Sequence, residues 1–131
     1  MMTKAELAQY RYLKREISSL RNKFRELEAA ISGGSSQLTG MPGGMISADT
    51  VANCAIELAD VGAILMLREQ TAVCEMRRIL RFTSTVEDSM LRMAIERRYL
   101  QGWTWEKIAL SLGGGNTADG VRKSVHRFLS D

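Results

Sequence analysis

The side chains with most chemistry to offer gather near the end of the chain. They are Thr104, Lys107, Thr117, Asp119, Arg122, Lys123, His126 and Arg127. Asp119, Arg122, Lys123, His126 and Arg127 stand three and four positions apart, so one face of a helix displays them. The other face, Val121, Val125 and Phe128 with Leu129, is apolar. Such a helix can bury one side and present hydrogen-bonding groups on the other. Laid in a DNA major groove, Arg122 can donate two bonds to guanine O6 and N7, while Lys123, His126 and Asp119 meet other base edges. Thr104, Lys107 and Thr117 sit where short helices are expected to begin. Hydroxyls and free amides at such places grip phosphates. Arg92, Arg97, Arg98 and Arg127 are further candidates for backbone contact.

Other chemistries find little in the sequence. His126 is the only histidine, so no His/Cys metal set can be assembled around it. No nucleophile stands with a base, and no catalytic residue or cofactor is expected. Cys54 and Cys74, 20 residues apart on one expected helix, read as free buried thiols of a reducing compartment. A disulfide between two copies is the lesser alternative. Glu57 and Asp60 interrupt an apolar stretch and are candidate buried carboxylates, with pairing to a cation of the first helix favoured over catalysis. The paired glycines near residue 40 precede no Gly-Lys-Ser/Thr, so they do not form a phosphate loop. Trp103 and Trp105 read as packing rather than as base-stacking platforms.

Three short helices must hold the candidate residues. Thr85 with Asp88 opens the first, which Gly102 ends near Gln101. Thr104 is a natural N-cap for Trp105–Leu112. Gly113, Gly114 and Gly115 then break the chain, and Asn116 or Thr117 caps a last helix to about Ser130. Ala109 supplies the small inward residue that lets two such helices cross closely, with Ile108 and Leu112 beneath.

The run RYLQGWTWEKIALSLG resembles region 4 of bacterial sigma factors. More widely, Tyr10–Ile17, Met41–Gly44 and Arg98–Leu129 resemble small sigma-region-4-like proteins of phages and mobile elements in Gram-positive bacteria. The resemblance implies a helix-turn-helix that reads double-stranded DNA, in a transcriptional regulator. Its departure from the family is the turn. Val121 stands eight residues after Gly113, two more than the family pattern, which implies an altered recognition-helix angle. Nothing resembles the promoter-melting region of a full sigma factor. Two other readings stand beside this one: an oligomeric scaffold or DNA-packaging adaptor with weak unspecific DNA contact, and a module that docks on RNA polymerase.

Upstream, Thr3 and Glu6 form a capping box. Leu13, Ile17, Leu20, Phe24, Leu27 and Ile31 follow at heptad spacing, with Leu7 and Tyr10 extending the stripe less regularly. Residues 32–45 hold five Gly, three Ser and the single Pro, so a loop is expected over 32–46. A second helix is predicted from about Ser47 to about Phe82. Its apolar residues cover more than one stripe, which predicts burial on several sides. Residues 1–31 carry seven basic and four acidic groups, and residues 49–88 four basic and seven acidic. These two helices are complementary in charge. Residues 89–131 again carry seven basic and four acidic groups, a surplus with no internal partner.

The chain is therefore expected to be all-α. A long helical hairpin (1–83) would serve oligomerisation, and a three-helix helix-turn-helix module (84–131) would bind DNA. The apolar excess predicts a homodimer or higher homo-oligomer. Early charged residues argue against a secretory leader, and the stretch Cys54–Leu67 is too short to span a bilayer. A cytoplasmic protein without membrane contact is expected.

Overall fold

Reciprocal capping begins the first helix. The Glu6 amide donates to Thr3 Oγ1 at 3.2 Å, and the Thr3 amide donates to the Glu6 carboxylate at 3.0 Å. Helix α1 then runs Lys4–Ile31. The structure, a computed structural model, describes residues 1–32 and 48–130. The expected Gly-rich loop and the Met41–Gly44 run lie outside the described residues. Helix α2 is Ala48–Ser84, α3 is Ser89–Ile95, α4 is Trp105–Leu112 and α5 is Ala118–Ser130. The described residues are all-helical without a strand, and they include the long helix pair.

Packing divides the chain into two compact units. Arg15–Gln70 is one; Met1–Lys14 with Thr71–Asp131 is the other. The division therefore does not fall at 83/84. The first turns of α1 and the last turns of α2 share a core with the C-terminal helices.

In the unit Arg15–Gln70, α1 and α2 lie antiparallel. Ile17 and Val61 are buried between them. The Phe24 ring covers Gly62 so closely that a Cβ there would stand 3.1 Å from Phe24 Cε2. The complementary charges meet: Lys23 reaches Glu57 at 3.2 Å, Arg68 reaches Glu16 at 3.2 Å, and Arg21 reaches Glu69 at 3.5 Å. All are half-exposed, so each contributes at most about 1 kcal/mol and chiefly sets the register. The heptad seam of α1 is thus used within the chain.

In the single chain Ile56, Ile64, Met66 and Leu67 are exposed, because α1 covers one side only. Two expectations for α2 are corrected. Glu57 and Asp60 face solvent rather than a core. Cys54 is half-buried and Cys74 is exposed. Taken whole, α2 is also long and apolar enough to cross a membrane, with a mean hydropathy of 1.6 over its most apolar window. The shorter stretch Cys54–Leu67 by itself falls short of that length.

The second unit is built on Leu7, Ile79, Ile95, Ile108, Val121 and Val125, all fully buried. Asp88 caps α3, accepting bonds from the amides of Met90 at 2.8 Å and Leu91 at 3.3 Å. The expected single helix to Gln101 changes its winding. After Ile95 it continues as a π-helical turn, Glu96–Leu100. Thr83, buried at the end of α2, bonds the Glu96 carboxylate at 2.9 Å and anchors that turn. Gly113, Gly114 and Gly115 have φ of 66°, 64° and 76°. Three consecutive left-handed residues are cheap only for glycine, which explains the run between α4 and α5.

Candidate nucleic-acid interface

Helix α4 is positioned by its cap and its inner face. Thr104 Oγ1 accepts from the Lys107 amide at 3.2 Å. Ile108 is fully buried and Ala109 nearly so, and both join the core that holds Val121, Val125 and Leu129 of α5. The absence of bulk at Ala109 permits close packing of the two helices. Leu112 and Phe128 complete the packing from its edge. Helix α5 starts at a second threonine cap, where Thr117 Oγ1 accepts from the Gly120 amide at 3.0 Å.

The outer face of α5 carries the candidate residues together. Asp119, Lys123 and Arg127 are exposed, and Arg122 and His126 are half-exposed. Asp119 bonds both Arg122, at 2.5 Å, and Lys123, at 2.9 Å. Hydrogen bonds from Lys123 and then Arg122 hold its carboxyl below the usual aspartate range. Asp119 thus occupies two of the cations expected to read DNA. His126 sets its ring edge-on to Trp105, with centroids 5.7 Å apart. That contact joins the start of α4 to the middle of α5. Partial burial lowers the His126 pKa, and the nearby charges of Lys4, Arg122 and Arg98 lower it further.

The two tryptophans and their cations form a ladder. Lys107 Nζ lies 4.1 Å above the Trp103 ring, and the Arg97 guanidinium lies 5.4 Å from the same ring. The Arg98 guanidinium lies 4.7 Å over Trp105 and donates to the Trp103 carbonyl at 3.0 Å. Arg97 also donates to Ser111 Oγ at 2.8 Å. Arg92 turns back to the carbonyls of Val86 and Glu87, at 3.1 and 3.2 Å. Arg92, Arg97 and Arg98 are therefore bound internally, which orients them but limits their reach. Trp103 and Trp105 are half-buried and pack on the core.

Two cations of this face were not among the sequence candidates. Lys4 and Arg11 of α1 stand close enough to act on His126 and Arg98. Their signal in the sequence is the irregular start of the α1 stripe. Tyr10 keeps the heptad spacing but Leu7 steps off it, and both belong to the core of α4 and α5. Lys4 and Arg11 ride on the same turns.

The face therefore gathers Lys4, Arg11, Arg98, Arg122, Lys123 and His126, with Asp119 and Glu106 as the acidic counterweights, while Lys107 lies over Trp103. A surplus of cations on an open helical face suits an extended polyanion. Comparison with family models, curated proteins and solved structures finds no match for this chain.

Proposed function

We propose that the C-terminal helices form a helix-turn-helix of the sigma-region-4-like kind. In this reading the protein is a sequence-specific DNA-binding regulator of phage or mobile-element type, working in the cytoplasm. Helix α5 enters the major groove of double-stranded DNA. Arg122 reads a guanine, while Lys123 and His126 reach neighbouring base edges. Thr104, Lys107, Thr117 and Arg127, with Lys4, hold the phosphates. The observation that supports this most is the sidedness of α5. Val121, Val125 and Leu129 are buried, and Arg122, Lys123, His126 and Arg127 stand together on the open side.

The test is selection from a random-duplex library by the full chain, near physiological salt. A short enriched motif is expected, and Arg122→Ala should relax one base of it at a cost of about 1–3 kcal/mol. Retention without enrichment, lost steeply as salt rises, would replace this reading with phosphate attraction alone. Docking on RNA polymerase or a scaffold role would then take its place.

A further inference from the structure

The side of α2 away from α1 is a second seam. Ala52, Ile56, Ala59, Ala63 and Met66 step by 4, 3, 4 and 3 along the helix, and all are exposed. Ile56 and Met66 each expose 63% of their surface, and Leu67 beside them 58%. The same spacing continues along α2 through Gln70, Val73, Arg77 and Leu80. The residues that meet α1 lie on another side, around Val61. A 3-4 repeat of apolar residues is matched best by another helix with the same repeat. Alanine at positions 52, 59 and 63 lets that helix approach closely.

Charge selects the occupant and its direction. The first half of α2 carries the exposed Asp49 and Asp60, and its last turns carry the exposed Arg77 and Arg81, while Glu57 and Arg78 are engaged within the chain by Lys23 and by Glu6 and Glu75. Two copies of α2 laid antiparallel bring each acidic half beside a basic half. Parallel copies bring like charges together. A bilayer fits less well, because Glu57 and Asp60 would have to enter hydrocarbon.

We propose that two copies of this chain pair through this seam, α2 against α2 and antiparallel. Ile56 then packs near Leu80 of the partner subunit, and Asp60 lies near Arg77 of the partner subunit. The pairing is isologous, so both copies use the same residues. It is independent of the reading of α5.

The test uses the full chain with Cys54→Ser and Cys74→Ser. Ile56→Cys and Leu80→Cys versions are made separately, mixed and oxidised. The mixed 56–80 disulfide is the expected product. A disulfide of Ile56→Cys with itself, and not with Leu80→Cys, means parallel pairing and overturns the proposal. Sedimentation gives a second reading. The parent should sediment as two chains at micromolar concentration, and Met66→Glu or Leu67→Lys should halve that mass with helicity kept. A parent that sediments as one chain overturns the proposal. So does flotation of a monomeric parent with phosphatidylcholine–phosphatidylglycerol vesicles, which would assign the seam to lipid. A larger assembly supports the proposal if it yields the 56–80 disulfide and overturns it otherwise.

Discussion

The Asp119 carboxylate lies 2.9 Å from Nζ of Lys123, one turn further along α5. Its other oxygen engages Arg122. One acid therefore screens two cations on the face proposed to read DNA. An unspecific phosphate must compete with Asp119 for them. A correct base edge offers fixed bidentate geometry instead. Asp119→Asn should tighten binding to mixed-sequence duplex and narrow the gap between specific and unspecific sites. Each cation newly engaged by phosphate should steepen the log–log salt dependence by about 0.9. Fluorescence anisotropy across a salt series checks this, and an unchanged slope would count against it. Stability should hardly change, since solvent screens ion pairs this exposed.

The packing of α4 on α5 makes a prediction independent of DNA. Ile108 is fully buried against Val121 and Val125 in one core. Ile108→Ala should cost about 2–5 kcal/mol by loss of transfer energy and creation of a cavity. Ala109→Leu should cost about 1–3 kcal/mol by overpacking. Urea unfolding followed by circular dichroism measures both.

Gly62 tests the other unit. Phe24 already occupies the space that a side chain there would need. Gly62→Leu should destabilise the α1–α2 pair by about 1–3 kcal/mol, despite leucine's better helix propensity. Phe24→Ala combined with Gly62→Leu should recover part of the loss. A double-mutant cycle by thermal unfolding reads the coupling.

His126 predicts a pH dependence. Its pKa in the folded chain lies below the ordinary histidine value, first from burial and then from Lys4, Arg122 and Arg98. The unfolded chain therefore binds the proton more readily. Stability is complete above the ordinary value and falls as the pH drops through the folded value. As the pH falls below the ordinary histidine value, the native protein should lose stability that His126→Gln retains. If phosphates settle beside this ring, DNA should raise the His126 pKa, an effect visible in the imidazole proton shifts. A pKa unmoved by tightly bound duplex would place the DNA elsewhere.

What the sequence determined by itself is local. Thr3 with Glu6, Thr104 and Thr117 each cap the helix they were expected to start, whereas the start expected at Thr85 moves to Asp88 and Thr85 Oγ1 donates back to the Phe82 carbonyl. Those bonds close within three residues, so short spacing is enough to specify them. The glycine run at 113–115 likewise reflects backbone angles that glycine alone adopts cheaply. The amphipathic period of α5 shows which of its sides is buried, and so which side chains stand open. Only the tertiary structure decided what each face meets. The α1 seam was legible as a seam, yet periodicity names a face and never its occupant; Phe24 finds Gly62 of its own chain. Leu7 and Tyr10 enter the core of α4 and α5, carrying Lys4 and Arg11 to a basic face some 90 positions further along the sequence. The π-helical winding at Glu96–Leu100, which sets Arg97 and Arg98 beside Trp103 and Trp105, has no local code in the sequence. It accompanies a long-range bond from Thr83 to Glu96, a pairing that spacing alone does not reveal.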